Sequence, residues 1–146
     1  MVEEFDTKDI SLLFNSADPM HDQMITHIEI NGNNIFIEYG KIGLNDYRPP
    51  FTKLTVIYSF DHDNNDYSLT IIDRGQLNPL LCVVNYSTND PGKVFSLNQW
   101  DMEMYKFDMD NFGEMTLHFD IFRGKKIKNV ELRFTPVNIT YLWEEA

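Results

Sequence analysis

Two short segments place an imidazole and a carboxylate two residues apart: His27-Ile28-Glu29 and His118-Phe119-Asp120. In a strand that spacing puts both groups on one face. On neighbouring strands the four side chains would offer a metal mixed nitrogen and oxygen ligands. They are equally what the polar face of any half-exposed strand displays, and nothing in the sequence makes the two strands neighbours.

Other motifs fall short of a complete chemical set. The adjacent pair His21-Asp22 matches the dyad of metal-dependent phosphohydrolases, but the chain has only three other histidines, one of them close by at His27, to supply further ligands. Asp22 can instead pin the strand entry after Pro19. Asp61-His62-Asp63-Asn64-Asn65-Asp66 begins like a calcium loop, yet Asp66 stands where Gly is needed and Ile72 where Glu is needed. Its alternating flanks make it a solvated hairpin tip. There is no Gly-x-Ser-x-Gly elbow, phosphate-binding loop or dinucleotide fingerprint. Cys82 lies in the apolar run Leu80-Leu81-Cys82-Val83-Val84 and reads as a small buried hydrophobe. No cofactor is expected.

The stretch from Trp100 to Phe112 mixes acids with aromatics. With Asp101, Glu103, Asp108 and Asp110 outward near Trp100 or Tyr105, it would form a protein-binding patch of aromatic anchors ringed by charge. Strand core plus polar turn accounts for the same residues. Arg123-Gly124-Lys125-Lys126-Ile127-Lys128 is a basic turn, open to solvent, an anion or an acidic contact within the chain.

The elements that must position these residues are mostly strands. A short helix is expected first, with Asp6 as cap, Phe5 and Ile10 as a hydrophobic staple, and Leu13 and Phe14 on its apolar face. After Met20 the period becomes two. Met24, Thr26, Ile28 and Ile30 share one strand face, Asn31-Gly32-Asn33-Asn34 forms a tight turn, and Ile35, Ile37 and Tyr39 return. Alternation recurs at Leu54 to Phe60, Tyr67 to Ile71, Tyr105 to Met109, Leu117 to Ile121, Val130 to Phe134 and Val137 to Trp143. Residues 80–86 read as a strand buried on both faces, and Val94, Phe95 and Leu97 as a short further strand. Pro136 marks a junction. The expected architecture is mainly β: an antiparallel meander forming a curled sheet, sandwich or partly open barrel, within one domain spanning 1–146.

Composition sets the partner class. The chain holds 23 acidic and 12 basic residues, a net charge of −11. Such a surface repels phosphate backbones and anionic lipid, so nucleic acid and membrane are poor partners. It also attracts basic proteins. The opening Met1-Val2-Glu3-Glu4-Phe5-Asp6 lacks the apolar stretch of a secretory signal, and no apolar run approaches a membrane span, so a cytoplasmic location is expected. The glycosylation patterns at Asn85 and Asn138 carry little weight there.

From Met20-His21-Asp22-Gln23-Met24-Ile25 through Ile35-Phe36-Ile37-Glu38 the chain resembles the start of small uncharacterised bacterial β-rich proteins. Some of those are similar to the immunity proteins that neutralise polymorphic or contact-dependent toxins. The resemblance covers about a quarter of the chain and gives His21-Asp22 no catalytic role. It implies a non-enzymatic inhibitor that occludes a basic partner, such as a toxin. The alternative is a small-ligand or metal-binding sandwich or barrel using His27, Glu29, His118 and Asp120.

Overall fold

The computed structural model describes residues 2–6, 23–40, 51–60, 67–74 and 82–145. Within them lie ten strands: β1 (Val2–Asp6), β2 (Met24–Asn31), β3 (Asn34–Tyr39), β4 (Phe51–Ser59), β5 (Tyr67–Arg74), β6 (Cys82–Thr88), β7 (Asp101–Met109), β8 (Met115–Arg123), β9 (Lys126–Phe134) and β10 (Asn138–Glu145). One helix, α1 (Pro91–Ser96), precedes a 3-10 turn at Leu97–Gln99. None of the described helices is long and apolar enough to cross a membrane. The expected helix beyond Asp6, the His21-Asp22 pair, the loop at 41–50 and the calcium-like segment 61–66 lie outside the described residues.

All ten strands join one antiparallel sheet in the order β1-β10-β4-β3-β2-β7-β8-β9-β5-β6. The two meanders, β2-β3-β4 and β7-β8-β9, meet at a narrow seam where only Met24↔Glu103 and Ile25↔Met102 pair. Chain connectivity forces the sheet to fold over. β9 and β10 stand six places apart, roughly 29 Å in a flat sheet at ~4.8 Å per strand. The link from Phe134 to Asn138 reaches at most about 14 Å. The two halves therefore face each other, and the rings of Tyr58 on β4 and Phe134 on β9 lie 5.0 Å apart. The expected curled, mainly β architecture is the one observed.

Alternation supplies the core between the halves. Ile35, Ile37, Tyr39, Leu54, Val56, Ile139, Tyr141 and Trp143 enter it from one side; Leu69, Ile71, Leu117, Phe119, Ile121, Val130 and Leu132 enter from the other. Among the described residues no polar or charged side chain is fully buried, so apolar burial dominates the interior.

Several local expectations are corrected. A bulge between Ile25 and His27 resets β2, turning Ile25 inward and leaving Met24 and Thr26 exposed. A second bulge between Met104 and Lys106 turns Tyr105 out, while Met102 and Met104 take the core positions. Val94 and Leu97 belong to a helix and its 3-10 extension: Asp90 accepts a hydrogen bond from the Gly92 N–H (2.9 Å), Pro91 opens α1, and both apolar residues are buried on one side. β4 and β5 are not neighbours in the sheet, so the two strands do not pair as the expected hairpin. β6 pairs with β5 alone among the described residues, at one margin of the sheet, and the expected burial of residues 80–86 on both faces lies outside the described side chains. Val137 precedes β10 with its side chain exposed, while its N–H donates to the Ser59 carbonyl (2.7 Å).

Candidate functional site

The two His-x-acid pairs are held apart by the strand order. β7 separates β2 from β8, and the two histidines lie on opposite sides of the seam along the strands, with Asp120 level with the seam itself. His27 is two residues past Ile25↔Met102 in one direction, whereas His118 is paired with Lys106 in the other. At ~3.3 Å per residue the axial separation is on the order of 20 Å. Among the described residues no three His, Cys, Asp or Glu side chains converge as a metal site would require. His27 instead approaches Glu29 (Nε2–Oε1 3.6 Å) and meets the Phe95 ring edge-on at 5.9 Å.

His118 joins a surface network. Its Nε2 lies 3.0 Å from Asp108 Oδ2 on β7, and its Nδ1 lies 3.8 Å from Glu131 Oε1 on β9. Lys106 reaches the same Asp108 oxygen at 3.4 Å, and Arg133 Nη2 donates to Glu131 Oε2 at 3.0 Å. Exposed pairs like these contribute little stability singly, but together they fix how the outer face of β7-β8-β9 presents its charge.

That face is acidic around β7. Asp101 and Asp108 are exposed, and Glu103 sits directly opposite Asp120 on β8. Like charges in that position destabilise a sheet. Asn129 from β9 offsets part of the repulsion by donating to Asp120 Oδ1. Tyr105, pushed outward by its bulge, is 52% exposed, with the Lys106 ammonium 5.9 Å from its ring centre.

The β7–β8 turn completes the surface. Asp110 is exposed, and its Oδ1 accepts from the N–H groups of Phe112 (2.8 Å) and Glu114 (2.9 Å); Gly113 takes φ +85° to close the turn. The pinned loop carries Phe112, 92% exposed. Phe112 is an exposed aromatic missing from the sequence-derived set. Its signal was present: an aromatic between Asp110 and Gly113 lies within a turn, with no core to enter.

Trp100 is not an anchor on this face. It packs partly buried against the core, with the Arg123 guanidinium 4.4 Å and the Lys128 ammonium 5.7 Å from its ring. The basic turn therefore stands at the far end of β8 from Phe112. Among the six residues expected to form the patch, Glu103 is half-buried and Asp101, Tyr105, Asp108 and Asp110 are exposed, all on the β7 segment, while Trp100 turns inward. Comparison with protein-family models, curated proteins and solved structures finds no match.

Proposed function

We propose that the chain is a non-enzymatic protein-binding domain whose β7–β8 hairpin docks on a basic protein. The observation that carries this reading is Phe112, almost wholly exposed on a turn held rigid by Asp110. A large aromatic on a turn whose backbone is already ordered adds little backbone entropy cost on binding and fits the role of a central anchor. Tyr105 supplies a second aromatic on the same hairpin. Asp108, Asp110 and Glu114 lie at the Phe112 end of the hairpin and Glu103 further along β7, with Lys106 the single amine between Asp101 and Glu114, an acidic balance that selects a cationic partner surface and speeds encounter. The Glu103–Asp120 juxtaposition supports the same reading, since a basic group from a partner relieves a repulsion that folding alone leaves in place.

The mechanism is occlusion: the aromatics exclude water while the carboxylates pair with the partner's cations. Immunity-type neutralisation of a basic toxin is the specific form suggested by the resemblance at residues 20–38. The test is affinity capture by the immobilised chain, comparing wild type with Phe112→Ala and Tyr105→Ala at low and moderate salt. A basic protein held by wild type, released by salt and lost with Phe112→Ala supports the reading. Equal capture by all three chains overturns it. For the toxin form, the product of an adjacent gene is the partner to test.

A further inference from the structure

The β8–β9 turn is a cationic island on an acidic protein, at the opposite end of β8 from Phe112. Arg123, Lys125 and Lys126 are exposed around Ile127, itself 64% exposed. Gly124 at φ +62° allows the tight turn that projects them. The two ends are complementary in kind: an apolar side chain ringed by cations at one, an aromatic ringed by carboxylates at the other. The nine residues of β8 hold them about 30 Å apart on a rigid ladder, so one molecule cannot bring its own tips together.

We propose that the basic β8–β9 tip docks on the acidic β7–β8 hairpin of a second copy of this chain. This rests on the reading of that hairpin as a docking surface and adds its regulation: self-association covers Phe112 and competes with the basic partner. The contact joins two different patches, so a pair of antiparallel copies closes it twice, whereas a head-to-tail pair closes it once and leaves one unused tip of each kind. The −11 charge of each copy opposes association. At about 0.15 M salt the screening length is about 8 Å, so repulsion between the bodies fades while the tip contact persists.

Sedimentation velocity over a concentration series at that salt tests the proposal, using wild type, Lys125→Glu/Lys126→Glu and Phe112→Ala. Wild type is expected to gain mass with concentration, and each variant alone to associate about tenfold more weakly or less. An equimolar mixture of the two variants retains one intact pair of tips and is expected to form heterodimers that grow no further. A wild type that stays monomeric throughout overturns the proposal, as does association that both variants leave unchanged. Partner capture separates this from the preceding reading: Lys125→Glu/Lys126→Glu keeps the acidic hairpin and should still bind the basic protein, whether or not self-association is found.

Discussion

The side-chain amide of Asn98 takes the place of a strand beside Ile28. Its Oδ1 accepts from the Ile28 N–H at 2.8 Å and its Nδ2 donates to the Ile28 carbonyl at 2.7 Å. β2 leaves β7 after two paired positions, and the turn following α1 brings Asn98 to the edge thus left open. A second donation from Nδ2 to the Phe95 carbonyl ties the amide to the helix. The narrow seam is therefore completed by one residue.

Replacing Asn98 with Ala removes a partner from three backbone groups, of which the Phe95 carbonyl keeps the Leu97 N–H, and should cost about 2–6 kcal/mol, at ~1–3 for each of the two Ile28 groups left unpaired. Asn98→Asp keeps the acceptor for Ile28 N–H but loses both donations, and should be no less damaging than Ala. Urea unfolding of the three chains checks the order.

Gly40 faces Thr26 across the β2 bulge. A Cβ at Gly40 would lie 2.8 Å from Thr26 Cγ2, and the Thr26 hydroxyl donates to the Glu38 carbonyl at 3.2 Å. Gly40→Ala should cost about 1–3 kcal/mol through overpacking. Thr26→Ser removes the methyl while keeping the hydroxyl, so the double variant should recover much of that loss in a double-mutant cycle.

Tyr67 gives the fold an alkaline limit. Its hydroxyl donates to the Asn89 carbonyl, and burial, aided by the charge of Asp90, raises its pKa above the ordinary 10.0. A folded-state value above the unfolded one gives a contribution fully present below pH 10 and lost as pH rises through the folded value. Lys53, whose ammonium is held by Glu38 (2.8 Å) and Glu144 (3.5 Å), is raised and acts in the same window. Stability measured from pH 8 to 11 should fall at the alkaline end, and less steeply in Tyr67→Phe.

Glu103 is expected to separate stability from binding. Glu103→Gln ends the direct opposition of two carboxylates with Asp120 and should stabilise the fold by about 0.2–1 kcal/mol. The same change removes a charge from the proposed docking face and should weaken capture of a basic partner. Thermal melts and capture assays on one preparation measure both effects.

Legibility in the sequence followed the range of the interactions. Leu54, Val56 and Tyr58, or Leu117, Phe119 and Ile121, announce their inward face because alternation is local. The bulges at Thr26 and Tyr105 are set by pairing with Glu38 and His118 on neighbouring strands, so the exposure of Met24 and Tyr105 does not follow from alternation within their own strands. The helix start was visible as Asp90-Pro91 but also fits a turn; burial of Val94 and Leu97 on one side decides it. Trp100 could not be placed from its neighbours, because the cations that hold it come from β8 and β9. The separation of His27 from His118 rests on β7 lying between their strands, a relationship that no spacing within the chain encodes.

Phe112 bears the central claim most directly, because it sits at a turn and its removal should leave the melting temperature within a few degrees of wild type. The decisive measurement is capture of a basic protein by wild type and by Phe112→Ala, side by side, after matched melts. A partner retained by wild type, weakened by salt and lost from Phe112→Ala is the expected result. Undiminished capture by a folded Phe112→Ala would contradict it.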